Sequence, residues 1–221
     1  MASLQEVHAV VTESEVQLFE ENELIHRFHC TPEALKELTI GHLYCNGLIH
    51  SAAELSHYET DYTHPDTITI RISIDSKISR PMPPVQEQKI PELANLQALM
   101  QHFFDCAEKY KAHGGIHCSA LFDGKSFVAQ YEDVGRHNAF DKVIGQALIA
   151  GLNPANLIYF TSGRVNSEIA EKAGRCGFPL IVSRSIATTR ACEIARKQEV
   201  GIIGRITSDQ PLLFSKGRAY A

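Results

Sequence analysis

The sequence has no tryptophan, no closely spaced cysteines and no long hydrophobic run, and the last two absences each remove a class of function. Its nearest two cysteines, Cys106 and Cys118, stand 12 positions apart. That spacing excludes a CxxC redox pair, a zinc ribbon and a c-type haem attachment site. No apolar stretch approaches the roughly 20 residues that cross a bilayer. Residues 1–6 also lack the basic start and apolar stretch of a secretion signal. The expected location is therefore the cytoplasm, where Cys30, Cys45, Cys106, Cys118, Cys176 and Cys192 would be reduced thiols, most of them buried as small hydrophobes. Basic charge is scarce as well: 21 Lys and Arg against 26 Asp and Glu leave a net charge of −5. Such a chain has no general attraction for nucleic acid or an anionic membrane, so any anionic ligand must be held by a local pocket. The nucleotide-binding loops GxxxxGKS/T and GxGxxG are missing. So is the HxE…PCxxC zinc-deaminase signature, which leaves His117-Cys118 as an isolated fragment of it. Eleven histidines are present, but none form a cluster with metal-ligand spacing, and no metal is expected.

What remains is an ordinary globular composition, 44% hydrophobic and 21% charged over 221 residues, enough for one large domain. Short strand-like pieces at 7–11 and 16–19 precede a polar turn at 20–23 and a return strand at 24–29, which reads as a hairpin. Thr31-Pro32 reads as a helix start, with Leu35, Leu38, Ile40 and Leu43 facing a core and Asn46-Gly47 as the stop. The stretch TITIRISI (67–74) alternates isoleucine with polar residues and is the clearest strand. Four prolines in 78–91 exclude a regular helix or central strand there. The expected organisation is an N-terminal part at 1–80, a proline-rich linker at 81–92 and an α/β core at 93–221. The core opens with one long amphipathic helix over 93–112 and a hairpin turning at Asp123-Gly124. Helices at 138–150, 166–176 and 188–199 then alternate with strands at 157–161, 179–183 and 202–206, which implies parallel pairing in an α/β sheet.

Three junctions in this core are rich in polar residues. One holds Asp133, Gly135, Arg136 and His137, the second Ser162 and Arg164, and the third Ser183 and Thr188. In an open α/β sheet, ligands bind beyond the carboxyl ends of the strands, where helix N-termini present free N–H groups. Arginine at each junction adds bidentate phosphate contacts, so the three together suggest a site for a phosphate-bearing ligand. Each junction taken alone is explained equally well by helix capping. His137, among Asp133, Arg136 and Asp141, is either a tuned titratable group or a member of a structural ion-pair cluster.

The string EDVGRHNAFDKVIG (132–145) resembles the FdhD family, as do GGIHCSALFDG (114–124), TSGRVNSEIAEKAGRCGFPLIVSRSIATTRACEIA (161–195) and CTPEALKELTIGHLYCNGLI (30–49). The resemblance covers most of the chain. It implies a cytidine-deaminase-like α/β sandwich with a smaller N-terminal β/α portion, often dimeric, working in formate dehydrogenase maturation. It also implies partners: a cysteine desulfurase that donates sulfur as a persulfide and an apo-formate dehydrogenase. The implied cofactor is the molybdenum cofactor in its bis(guanine dinucleotide) form, bound transiently. By position after the last strand, the family's cofactor-contacting segment falls on Arg205, Ile206, Thr207, Ser208, Asp209 and Gln210. The sequence departs from the family at the sulfur loop: a C-G-x-C-G segment belongs between the strand 67–74 and the next helix, and residues 75–92 hold no cysteine. A persulfide carrier needs an accessible thiolate. Cys118, beside His117, is the substitute, and as a sulfurtransferase nucleophile it must be exposed and low in pKa. The competing expectation is a non-catalytic module that binds the cofactor or chaperones the dehydrogenase. A hydrolase or deaminase on the same fold ranks last, for lack of zinc ligands and a general acid.

Overall fold

The computed structural model describes residues 11–64, 66–78, 80–86 and 89–220. Most of the first expected strand, at 7–10, lies outside them. The N-terminal part is a four-stranded sheet in the order β2-β1-β4-β3. Strands β1 (Ser14–Glu20) and β2 (Glu23–Cys30) form the expected hairpin, whose turn places Glu21 at a φ of 53°. Strand β4 (Thr67–Ile74) runs parallel to β1, with Val16 opposite Ile68 and Leu18 opposite Ile70. Its other edge carries β3 (Leu55–Asp61), a strand the sequence hides because LSHYETD is polar and has no buried residue.

Helix α1 (Leu35–Cys45) begins four residues after Thr31, entered through Ala34 at a φ of 51°. Thr31 is therefore not the expected cap. Its N–H donates to Asp133 Oδ2 and its hydroxyl accepts from Val134 N, so it ties the N-terminal part to the later chain. Beyond α1, the segment around residues 80–86 crosses the surface as an extended strap. Asn153 and Asn156 donate side-chain hydrogen bonds to the carbonyls of Pro83 and Pro84, and Gln86 N donates back to Asn156.

The expected helix over 93–112 is two helices, α2 (Leu93–Asp105) and α3 (Glu108–His113). The break has a physical cause: the Glu132 carboxylate accepts from Lys109 N at 3.1 Å and Tyr110 N at 2.6 Å, capping a new helix start there. Strands β5 (His117–Phe122) and β6 (Phe127–Asp133) form the hairpin, with Gly124 at a φ of 96°. Then come α4 (Arg136–Ile149), β7 (Ile158–Thr161), α5 (Ser167–Cys176), β8 (Leu180–Ser183), α6 (Thr189–Lys197), β9 (Gly201–Gly204) and β10 (Leu212–Ser215). The six-stranded sheet has the order β10-β9-β8-β7-β5-β6, with β7, β8 and β9 parallel as expected.

One face of this sheet packs Leu121, Tyr159, Ile181 and Ile202 into a core that also takes Val16, Leu18, Ile70 and Ile72 from the N-terminal sheet. The other face packs Ala120, Phe160 and Val182 against Leu96, Met100 and Phe103 of α2. Between the two sheets, α1 and α4 cross at backbone contact. A Cβ on Gly41 would lie 1.8 Å from the Asp141 carbonyl oxygen, and one on Gly145 would lie 1.9 Å from that of Glu37. Only glycine permits that approach. Among the described residues, no helix is long and apolar enough to cross a membrane.

Candidate functional site

Strands β7 and β8 end at Thr161 and Ser183, and the loops that follow are joined to one another. Ser183 Oγ donates to Gly163 O at 2.8 Å, Val165 N to Ile186 O and Thr188 N to Val165 O, each at 3.0 Å. The chain leaving β9 joins the same group, Arg205 N donating to Ser185 O at 2.7 Å and Ile206 N to Ser183 O at 3.2 Å. The β6–α4 turn is added by a close approach. A Cβ on Gly163 would meet Arg136 Cβ at 3.3 Å and His117 Nδ1 at 3.4 Å, so Arg136 and His117 lie against the bare backbone of Gly163. The three polar junctions thus meet at the carboxyl end of the parallel strands, as the sequence suggests.

Their charge is concentrated in arginine. Arg164, Arg184 and Arg205 are exposed along this rim and Arg136 is half-buried. The Arg184 guanidinium is held by the Tyr110 hydroxyl and lies 5.6 Å from the ring centre of Phe104. Arg205 has a φ of 53°, a strained conformation for a side-chain-bearing residue. Arg136 Nε is buried without a hydrogen-bond partner. A buried guanidinium N–H lacking an acceptor is costly, and an oxyanion reaching Arg136 would supply one. His117 is pushed below its ordinary pKa, first by burial and then by Arg136, both of which disfavour its charged form.

Several expected ligand-binding residues have side chains committed to the fold, and others lie on the surface beside it. Asp133 is fully buried: its Oδ1 accepts from Gly135 N and Asn138 Nδ2, and its Oδ2 accepts from Thr31 N and pairs with Lys142 Nζ at 2.6 Å. Ser162 Oγ accepts from Cys118 N, and Thr188 Oγ1 accepts from Ala191 N as the cap of α6. Ser183 is buried and occupied with Gly163 and Ser185. Gly135 is a glycine because a Cβ would press on Asn138 Nδ2 at 2.7 Å. Ile206 is core, and Ser208 closes a turn by donating to Arg205 O. Thr207, Asp209 and Gln210 are exposed on or beside that turn. His137 lies elsewhere: its Nε2 is 3.4 Å from Glu168 Oε2, beside a cluster in which Lys172 Nζ is 2.7 Å and His42 Nδ1 is 3.6 Å from Asp141 Oδ2. Burial, the largest influence on His137, lowers its pKa. Its surroundings match the structural alternative.

Cys118 fails the requirement for a sulfur nucleophile. It has no solvent exposure, its thiol lies 3.6 Å from Glu132 Oε1, and burial followed by that carboxylate pushes its pKa far above a free thiol's. Of the six cysteines only Cys106 is exposed, with its sulfur 4.0 Å from His102 Nε2. Sequence reasoning missed it by running one helix through 93–112. The break is set by Glu132, which is remote in sequence.

Fold and rim together define a class: a layered α/β protein that gathers arginines beyond the carboxyl ends of its parallel strands. The FdhD/NarQ family model matches residues 70–220, and the chain belongs to that family. It is 29% identical over 200 residues to the sulfur carrier protein FdhD of Bacillus subtilis (strain 168), covering 79% of this chain and 76% of the relative. With the sulfur carrier protein FdhD of Saccharolobus solfataricus the identity is 33% over 204 residues, covering 79% and 75%. The crystal structure of a putative formate dehydrogenase accessory protein from Desulfotalea psychrophila superposes with a TM-score of 0.78 over 93% of this chain and 87% of that one, at 22% identity. That likeness shows the fold.

Proposed function

We propose that this protein is a formate dehydrogenase accessory protein that binds the molybdenum cofactor in a guanine-dinucleotide form and presents it to the apo-dehydrogenase, without itself carrying sulfur on Cys118. The observation that carries the binding half is the unpartnered, buried Nε of Arg136, whose Cβ and Cδ pack on Gly163. Arg164 and Arg205 are exposed on the loops that meet there, so the same end of the sheet offers further guanidinium groups to a pyrophosphate. The cofactor is cargo here, and what the chain's own residues do is neutralise its phosphates. Against sulfur transfer stand the absence of any CxxC pair and the burial of five of the six thiols. A cysteine desulfurase would then act on the cofactor's path through another protein, and a second copy of this chain is the expected oligomeric partner.

Guanosine diphosphate is the probe for the rim. Calorimetric titration should show binding that weakens about tenfold or more in Arg136→Gln and in Arg164→Gln, the loss expected for a charge-assisted hydrogen bond. No binding at millimolar nucleotide, or variants that bind as tightly as the parent, would overturn the reading. For sulfur, the protein is incubated with a cysteine desulfurase and cysteine, and its intact mass is measured. No added sulfur is expected; one added sulfur atom that is lost in Cys106→Ser would make this chain a carrier with a relocated thiol.

A further inference from the structure

The strap at residues 80–86 does not lie flat on the protein. One end is tied by Arg80 N donating to Ser51 Oγ at 3.0 Å, and the other by the Asn153 and Asn156 hydrogen bonds to Pro83 and Pro84. Between these ties it passes over a cavity of about 450 Å³ bounded by α1, the Ser51–Leu55 turn and the end of α4. Ile40, Leu55, Met82 and Leu148 give this cavity an apolar wall, and Lys36 and Arg80 stand at its mouth. No carboxylate lines it among the described residues, although the chain as a whole is acidic. Neither Lys36 nor Arg80 forms an ion pair with a described carboxylate; Lys36 Nζ lies 5.9 Å from the ring centre of Tyr58. The carboxyl end of α4 borders the cavity, but its last carbonyls are taken by Ala150, Gly151 and Leu152 N–H groups. The helix end therefore offers little opposition to a negative ligand.

We infer that this cavity is a binding site for a small amphipathic carboxylate, its apolar tail under the strap and its carboxylate between Lys36 and Arg80. The volume lies within the range of small-molecule sites, and an apolar wall with a few convergent polar groups is their usual composition. Two cations at one mouth, neither paired with a described carboxylate, select the sign of the head group. The site lies at the end of α4 remote from the Arg136 rim, so it stands or falls independently of the cofactor reading.

The test is calorimetric titration of the full chain with octanoate, with octan-1-ol as the neutral control. Octanoate should bind one to one and octan-1-ol at least tenfold more weakly. Arg80→Gln combined with Lys36→Gln should weaken octanoate about tenfold at low salt. Ala53→Trp, which fills the cavity, should abolish binding while leaving guanosine diphosphate affinity unchanged. If Ala53→Trp does not fold, the Lys36 and Arg80 substitutions still decide the matter, since both side chains are exposed. No heat with millimolar octanoate, equal binding of octan-1-ol, or octanoate affinity untouched by the charge substitutions would overturn the inference.

Discussion

Replacing Asp133 by asparagine should destabilise the protein by about 4 kcal/mol, the cost of breaking a buried ion pair from one side. Asp133 and Lys142 both have zero exposure, with Oδ2 and Nζ 2.6 Å apart. The two partners are not equivalent. Without Lys142, the carboxylate still accepts from Thr31 N, Gly135 N and Asn138 Nδ2. Without the carboxylate, the ammonium keeps, among the described residues, the Thr31 carbonyl at 2.9 Å. Asp133→Asn should therefore cost more than Lys142→Met, and Asp133→Asn with Lys142→Met should recover part of the loss because no unpaired charge stays buried. Urea unfolding followed by circular dichroism measures this. With a slope of roughly 3 kcal/mol per molar urea, Asp133→Asn lowers the midpoint by about 1.3 M. A cost below about 1 kcal/mol, or a double variant as unstable as the two single losses added together, would refute the assignment of Asp133 to the fold rather than to ligand binding.

Gly145→Ala forces a Cβ to within 1.9 Å of the Glu37 carbonyl, where backbone cannot yield cheaply. It should cost at least about 3 kcal/mol in the same urea assay or prevent folding, and a near-neutral result would mean that α1 and α4 can separate. Thiol titration with an aromatic disulfide reagent should find one reactive cysteine in the native protein and six after unfolding; Cys106→Ser should abolish the native reaction. His26 is held down to about 4 from an ordinary 6.5, first by burial and then by the tilted His42 ring 4.1 Å away. Between those two values the unfolded chain takes up a proton that the native state refuses, so stability is fully present above pH 6.5 and is lost as pH falls towards 4. Urea midpoints measured across that window should fall with pH, and less steeply in His26→Gln; an unchanged slope would rule out His26 as a contributor. His117 and His137 are shifted in the same direction and should leave a residual slope.

The elements legible in the sequence were those whose pattern is local. β4 shows itself by alternating isoleucines, the Asp123-Gly124 hairpin by its turn, and the last three helices by strand–helix alternation with caps such as Asn166 and Thr188. The illegible elements are set by partners distant in the chain. β3 is a polar edge strand ordered by β4, the α2–α3 break is imposed by Glu132, and Thr31 is drawn from the α1 cap by Asp133. The same division runs through the site. The convergence of three junctions follows from parallel topology and could be read in advance. Which side chains in each junction remain free depended on hydrogen bonds that only the fold reveals.

The motif EDVGRHNAFDK shows how this works. Its polar residues look like one constellation because they are contiguous, yet a helix turns each successive residue by about 100°. Arg136 opens α4 and lies on Gly163, while His137 and Asp141, four apart, share the other side with Glu168 and Lys172. Asp133, before the helix starts, points inward to Lys142 and accepts from Thr31 N, Gly135 N and Asn138 Nδ2. One string of residues thus closes the fold, lines an internal ion-pair cluster and supplies the rim with a guanidinium. That arrangement has a consequence for every substitution in it. At Asp133 the measured loss should be stability, and three residues later at Arg136 it should be affinity for a phosphate-bearing ligand.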